Sequence, residues 1–561
     1  MSLSGPDETG AGGPGIKFQG MNASSILFLS IIPLFWLITT LCFSSHVYHV
    51  DSVRDVSAIE GLCHNYDSDS FEPSLPLNFS LCTWNFTPTN KGWFFLNRPA
   101  HLWFYPFQIL RAKIALLAGI KNSYLFEFLQ ICSIINGFLV LWLLALVVFH
   151  MTNDLLAASL ASLAAGGLYG FWFWAMQPRG GYMSALFFML LGVMIYITYG
   201  NRTVGLVLSG ICCALAVLMS FASIGILAVL LVQEAFRTRT AAHFFSRSLM
   251  FCAIVLLLLT GAYATDEILN FSNWKNLCDL SKNVFGDLTG IITENSKDRF
   301  PYNLHLFLDQ CASVNIINTR MTDPPVAGRI STMLGCLFTA LFCLALPVFL
   351  RTIRHKGPLF GWVFSFAWLV IFSAEFSLID RNSFGFLPLV GGIFLFSTAA
   401  SASKLFKGVW TLSVLLLFYL SATLNIAPLH ARPDLLSGPD RAALSLYFAP
   451  KDMMLCNFWE DTLEIPYAMR MYAVTFEPSF VPISAGQERL IGEILCKYAR
   501  SHNIWYLPPD NARVPVGIKN LLGKYFYVHR SVVYPFSSCT SRTYYQLIPY
   551  MTAPNKLFLT P

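Results

Sequence analysis

Charged residues are scarce in this sequence: Asp, Glu, Lys and Arg make up 12% of the 561 residues, whereas hydrophobic residues make up 55%. A soluble globular protein has about 25% charged residues. The low charge and the repeated apolar runs of about twenty residues predict a polytopic membrane protein. The net charge of +6 is also modest, so it does not indicate a nucleic-acid partner.

Several motifs of soluble enzymes are missing as well. The chain has no P-loop, G-x-S-x-G or H-E-x-x-H motif, and no Cys-x-x-Cys or Cys/His spacing that suggests zinc. The sequence therefore requires no cofactor, although a divalent cation is compatible with it. Charge inside the apolar runs is too sparse for a proton relay or a gating array.

Eleven apolar runs are long enough to cross about 30 Å of hydrocarbon. The count carries an error of about two, because two adjacent short runs meet at Ser220 and could form one bent hairpin. The first run is too long for the core of a signal peptide and lacks a convincing cleavage site, so it is expected to remain as a span. The runs are roughly 24–45, 125–150, 154–176, 182–199, 203–220, 221–236, 247–265, 330–350, 358–378, 383–403 and 406–425.

Positive charge in the connecting loops is asymmetric. The short loops on one side carry only Arg179 and Arg381. The loops on the other side carry nine cations, namely Arg202, Arg237, Arg239, Arg247, Arg351, Arg354, Lys356, Lys404 and Lys407. Because cytoplasmic loops are enriched in Lys and Arg, this pattern predicts a cytoplasmic N-terminus. It places the long segments and the C-terminus outside, in the periplasm or the lumen of the endoplasmic reticulum.

The predicted organisation has three parts. Residues 1–23 form a disordered cytoplasmic tail, since they contain Gly, Ser and Pro and few large apolar residues. Residues 24–425 form the transmembrane domain, with external loops at 46–123 and 266–329. Residues 426–561 form a small external α/β domain, because short β-like runs alternate there with helical ones.

The start of the first external loop carries two acidic residues, Asp51 and Asp55, which are four positions apart. On a helical continuation of the first span they would share one face at the membrane surface. A carboxylate at the edge of a low-dielectric cavity can act as a general base towards a hydroxyl. The alternative interpretation is ordinary solvated charge just beyond the end of a helix.

The end of the same loop, residues 93–120, is aromatic and apolar but interrupted by prolines and by Arg98, Arg111 and Lys113. This composition predicts an interfacial helix on the outer leaflet, with cations available for lipid phosphates. A purely structural interfacial helix with snorkelling cations is the alternative. Arg179 and Arg381 lie in short external turns, where an Arg could contact a phosphate or simply sit at the interface.

The layout resembles the GT-C superfamily of membrane glycosyltransferases, which use polyprenyl- or dolichyl-phosphate sugars. One span precedes a long external loop with an early acidic pair, His-Val-Asp at 49–51 and Arg-Asp at 54–55. Asn-Arg-Pro-Ala-His-Leu-Trp-Phe-Tyr-Pro at 97–106 is similar to the Pro-Pro-Leu-Tyr helix of the family. The hairpin at 205–231, and Asp380-Arg381 running into Phe-Leu-Pro-Leu at 386–389, also resemble family features.

The resemblance implies a GT-C-like helical membrane fold and a mechanism. The tail of the donor lies in a groove open to the bilayer, with its phosphate at the external surface. Asp51 or Asp55 is expected to take a proton from the hydroxyl of a glycan, lipid or protein acceptor. Four residues are expected to hold the leaving lipid phosphate, namely Arg98, His101, Arg179 and Arg381.

Two other functions remain open. A transporter would show internal repeats and discontinuous helices at mid-membrane, and no repeat is visible. A non-catalytic GT-C-like subunit of a glycan or envelope assembly complex would keep the scaffold without the chemistry. The sequence around the acidic residues favours this second alternative. Many members of the superfamily have adjacent carboxylates, whereas here Ser52 follows Asp51 and Val56 follows Asp55.

Overall fold

The computed structural model describes most of the helical domain and of the C-terminal region. The described residues are 22–43, 104–120, 124–167, 169–178, 181–220, 225–237, 240–268, 386–421, 442–450, 452–457, 471–476, 485–508, 516–535 and 542–550, together with a few single residues and short pieces between them.

Eleven helices of the described residues form the helical domain, and they coincide with most of the predicted runs. They are α1 (Ala23–Phe43), α2 (Phe104–Leu117), α3 (Leu125–Thr152), α4 (Leu155–Gly167), α5 (Tyr169–Ala175), α6 (Tyr182–Tyr199), α7 (Thr203–Met219), α8 (Gly225–Arg237), α9 (Ala241–Ile268), α10 (Phe386–Ala402) and α11 (Lys404–Ser421). The run predicted at 358–378 lies outside the described residues, and the run at 330–350 is described only at scattered helical positions.

Four of these helices are long and apolar enough to cross a membrane: Ala23–Cys42, Leu125–Thr152, Tyr182–Tyr199 and Ala241–Ala262. The chain is an integral membrane protein. The described part leaves the expected total of eleven spans untested. Within the run predicted at 154–176 the described helical residues are those of α4 and α5.

The core of the helical domain forms around Trp36 of α1. A β-carbon added to Gly137 of α3 would stand 2.8 Å from the nearest atom of this indole. A β-carbon added to Gly166 of α4 would stand 2.9 Å from the indole. Phe171 of α5 contacts it edge-on at 5.4 Å between ring centroids. Small residues therefore let three helices approach one large aromatic side chain, which is a common way for helices to pack in membranes.

Five strands and two helices are described within residues 442–550. The strands are β2 (Met453–Asn457), β3 (Tyr472–Phe476), β4 (Ile504–Tyr506), β5 (Phe526–Tyr534) and β6 (Arg542–Pro549), and the helices are α12 (Ala485–Tyr498) and α13 (Val516–Tyr525). A sixth strand, β1 (Phe79–Ser80), comes from the long segment between α1 and α2. The order in the sheet is β1-β3-β2-β4-β6-β5.

The sheet is mixed. Strands β1, β3, β2 and β4 are parallel, whereas β6 and β5 run antiparallel at the far edge. One face packs on α12 and α13 through Leu455, Ile504, Ile491 and Leu521, all nearly inaccessible to solvent. The other face packs towards the helical domain.

This second face belongs to a cluster of buried residues that we call the junction cluster. It joins two residues of the segment between α1 and α2, α2 itself, the start of α3 and the C-terminal sheet. Its buried members are Val56, Ile59, Ala112, Ala115, Leu125, Phe126, Leu129, Leu444, Phe448, Met454, Ile465, Met469, Met471, Trp505, Leu507 and Tyr544. The two large polar regions of the sequence therefore meet at one end of the helical domain.

Candidate functional site

Helix α2 forms one wall of the junction and has two different faces. Its exposed face carries the apolar Leu110, Ile114 and Leu117, each more than half exposed, together with Lys113. Its inward face carries Gln108 and Arg111 beside the buried Ala112 and Ala115. At 14 residues the helix is too short to cross the hydrocarbon, which needs about 20 residues. It matches the interfacial helix that the sequence predicts within residues 93–120.

Arg111 reaches from α2 to the neighbouring span. Its Nη2 donates to Oδ1 of Asn136 on α3 at 3.3 Å. The guanidinium also lies over the ring of Phe107, 4.1 Å from the centroid. Burial lowers the pKa of the Arg111 guanidinium, but an arginine keeps its charge in proteins. No carboxylate among the described residues pairs with Arg111.

Asn136 connects this cation to a third helix. Its Nδ2 donates to Oγ of Ser184 on α6 at 2.9 Å. Both Asn136 and Ser184 are buried. Arg111, Asn136 and Ser184 therefore form a continuous hydrogen-bonded line across α2, α3 and α6, which we call the Arg111 line.

Two more polar residues on the same face of α3 hold the turn that precedes α6. Gln130 Nε2 donates to the carbonyl of Met176 at 2.9 Å, and Ser133 Oγ donates to the carbonyl of Gln177 at 3.1 Å. Carbonyls at a helix end lack intrahelical partners, and α5 ends at Ala175. The α3 side chains supply partners for the carbonyls of the two residues that follow α5.

The six site residues predicted from the sequence lie outside the described residues. They are Asp51, Asp55, Arg98, His101, Arg179 and Arg381. The structure does describe chain neighbours of two of them. Val56, which follows Asp55, is fully buried in the junction cluster, and Gly181 stands two residues after Arg179, at the start of α6.

The sequence interpretation did not single out the residues that the structure brings together. In the sequence Arg111 is one of several cations of the predicted interfacial helix, and Asn136 is a polar residue within the apolar run at 125–150. A usable signal exists in the spacing of Gln130, Ser133 and Asn136, because positions i, i+3 and i+6 of a helix share one face. The contacts of Asn136 with Arg111 and Ser184 join different helices, so the spacing of residues within α3 cannot predict them.

A metal centre is not evident in the described part of the chain, where no three His, Cys, Asp or Glu residues come together. The described residues therefore do not test the divalent cation with which the sequence is compatible.

Comparisons with known proteins give structural matches only. No protein family matches the chain, and no curated protein does. The solved structures that match include an oligosaccharyltransferase from the archaeon Archaeoglobus fulgidus, a protein of the GT-C superfamily. Its complex with an inhibitory peptide and a dolichol-phosphate is 12% identical, covers 93% of this chain and 75% of its own, and has a TM-score of 0.45.

Two further structures of that enzyme are similar to a comparable degree. The apo form is 12% identical, with 88% of this chain and 69% of the other covered, at a TM-score of 0.48. The complex with Zn and sulfate is 13% identical, with 92% and 73% covered, at 0.45. The TM-scores lie below 0.5, so these overlaps carry no argument about the site or the reaction.

Proposed function

We propose that the chain is a membrane glycosyltransferase that moves a sugar from a polyprenyl-phosphate donor to an acceptor hydroxyl on the periplasmic or lumenal side. The observation that supports it best is the junction cluster. Val56, the residue after Asp55, is buried there with α2 and with the C-terminal sheet. A loop that begins with two carboxylates, a lipid-facing helix and a folded domain thus share one end of the helical domain.

The pairing of β1 with β3 adds to this argument. Phe79 and Ser80 of the first loop align with Val474 and Thr475 of the C-terminal sheet. The loop is therefore tied to the domain at a second point, beyond the contact at Val56. An external domain that holds the loop at two places suits a site in which the loop carries the chemistry and the domain faces the acceptor.

In the proposed reaction the acceptor oxygen attacks the anomeric carbon of the donor sugar. Asp51 or Asp55 accepts the proton of that hydroxyl, and the bond between the anomeric carbon and the phosphate oxygen breaks. The electron pair leaves with the polyprenyl phosphate. Arg98, His101, Arg179 and Arg381 are proposed to stabilise the charge that develops on this phosphate, since fixed donors act strongly where water is excluded.

The test is transfer of radiolabelled sugar from polyprenyl-phosphate donors in membranes that contain the full chain. Asp51→Asn and Asp55→Asn are compared with Glu493→Gln, which removes an exposed carboxylate on α12 whose partner is Arg489. Loss of a general base should lower the rate by about a hundred-fold or more in one Asp variant. The control should keep the native rate.

Full activity in both Asp variants would reject the proposed base. Transfer from none of the donors, with the native protein folded, would favour the alternative of a non-catalytic subunit in a glycan or envelope assembly complex.

A further inference from the structure

We propose that the Arg111 line is a binding site for a phosphate group that enters from the bilayer. It contains none of the six residues to which sugar transfer is assigned. The proposal concerns binding alone, so it stands or falls separately from the reaction. The argument rests on three features of the described residues: an uncompensated cation, unused hydrogen-bonding groups, and an apolar outer surface beside them.

The cation has no described counter-charge. A guanidinium that is partly buried loses hydration, and buried charges in proteins are normally paired. Arg111 has one neutral acceptor, Asn136 Oδ1, and one aromatic ring. Neither supplies a negative charge, and an arginine does not respond to burial by losing its proton. An anion from outside the described chain would supply the missing charge.

The hydrogen-bonding capacity that remains suits such an anion. A guanidinium has five N–H donors, and a single hydrogen bond from Arg111 is observed, to Asn136. Ser184 Oγ accepts from Asn136, so its own hydroxyl hydrogen is left to donate. Within the described residues, Oε1 of Gln108 is buried without a partner, one helical turn before Arg111 on the same helix. It can accept from a protonated phosphate oxygen.

The shape of the cation favours phosphate. The planar fork of a guanidinium matches two phosphate oxygens at once, which a point charge cannot do. Asn136 holds this fork from one side and is itself held by Ser184, so the guanidinium is oriented before a ligand arrives.

The outer face of α2 indicates where the ligand comes from. Leu110, Ile114 and Leu117 are the exposed large apolar side chains of this helix, and an apolar exposed face on an interfacial helix is buried among lipid chains. Arg111 stands about 100° around the helix from Leu110, on the flank between this apolar face and the buried Ala112 and Ala115. A lipid with a phosphate headgroup could therefore keep its chain against the outer face while its headgroup reaches the guanidinium.

The experiment measures binding of radiolabelled polyprenyl phosphate to the immobilised full chain in detergent, without sugar or acceptor. Arg111→Gln removes the charge, Arg111→Lys keeps it, and Ser184→Ala removes the hydroxyl donor. Lys404→Gln is the control, because Lys404 is an exposed cation at the start of α11 and lies outside the Arg111 line. Thermal unfolding of each variant shows whether it is folded.

We expect Arg111→Gln to weaken binding by about ten- to one-hundred-fold, the usual range for a lost hydrogen bond to a charged group. Arg111→Lys should recover part of the loss, and Lys404→Gln should bind as the native chain does. Ser184→Ala should weaken binding by about five-fold, and it carries the test if Arg111→Gln does not fold.

Two ligand controls separate the sources of the phosphate. The neutral polyprenol should bind much more weakly than the polyprenyl phosphate. Competition by inorganic phosphate at low concentration would assign the site to free phosphate, whereas its failure to compete assigns the site to a lipid. Equal binding by native protein, Arg111→Gln and Ser184→Ala, or equal binding of polyprenol and polyprenyl phosphate, would overturn the proposal.

Discussion

Gly181 shows how a single residue fixes the turn next to the Arg111 line. Its φ is +65°, in the left-handed region that favours glycine. A β-carbon built there would collide with the carbonyl oxygen of Met219 at the end of α7. The start of α6 approaches the end of α7 closely because Gly181, three residues before Ser184, has no side chain.

Replacement of Gly181 by Ala should therefore destabilise the helical domain by more than the backbone strain alone. Gly119 provides the control, because its φ is +82° but a β-carbon there would meet no atom within 4 Å. We expect Gly119→Ala to cost about 1 kcal/mol and Gly181→Ala at least about 2–3 kcal/mol more. Thermal unfolding in detergent measures both. Equal midpoints for the two variants would show that the contact with Met219 relaxes.

At the scale of the residue, the sequence predicts the type of side chain in a segment but not the partners of that side chain. The aromatic and basic character of residues 93–120 predicted an interfacial helix, and α2 lies within that range. The pairing of Arg111 with Asn136 could not be predicted, because it depends on how α2 folds back against α3. In the sequence, Arg98 and Arg111 are equivalent cations of one aromatic segment. Only the packing of α2 against α3 gives Arg111 its partner.

The helices that end on the opposite side from the junction are joined by a buried ion pair. Arg247 of α9 donates through Nε to Glu234 of α8, and its Nη2 donates to the carbonyl of Gly200 after α6. Tyr196 of α6 donates to the same carboxylate. Side chains of Arg247 and Glu234 are only 12% and 3% exposed. Three helices thus share one hydrogen-bonded group.

Removing one partner of this pair should destabilise the chain more than neutralising both. Arg247→Gln leaves the Glu234 carboxylate buried without its cation, which typically costs about 3–5 kcal/mol. The double variant Glu234→Gln with Arg247→Gln replaces the ion pair by neutral amides and should recover part of that loss. Unfolding midpoints in detergent give the comparison. A double variant less stable than Arg247→Gln alone would contradict the expectation.

Elements differ in how far the sequence determines them. Long apolar runs mark helices such as α1, α3 and α6, because a span must satisfy its backbone within itself. The sheet order is harder to predict. Strand β1 has two residues and pairs with β3 nearly four hundred positions later, and no local pattern encodes that pairing. The α/β character of the C-terminal region could be predicted, but not the strand that it takes from the first loop.

At the scale of the whole molecule, the two ends of the helical domain differ in what they carry. The junction cluster and the C-terminal sheet lie at one end. Several of the loop cations lie at the other: Arg202 precedes α7, Arg237 ends α8, and Lys404 and Lys407 begin α11. Lys407 also pairs with Asp154, just before α4. The positive-inside rule predicts that this second end is cytoplasmic.

Labelling in sealed vesicles with the cytoplasmic face outward tests this orientation. Lys404 begins α11 and Lys519 lies in α13 of the C-terminal region, and both are exposed. Each is replaced by Cys in turn and treated with an impermeant polyethylene-glycol maleimide. We expect Lys404→Cys to gain a mass shift over the unaltered protein in sealed vesicles, and Lys519→Cys to gain one only after detergent. The unaltered chain is needed as reference because it has 14 cysteines. The reverse pattern would place the junction cluster in the cytoplasm and would exclude a periplasmic or lumenal reaction.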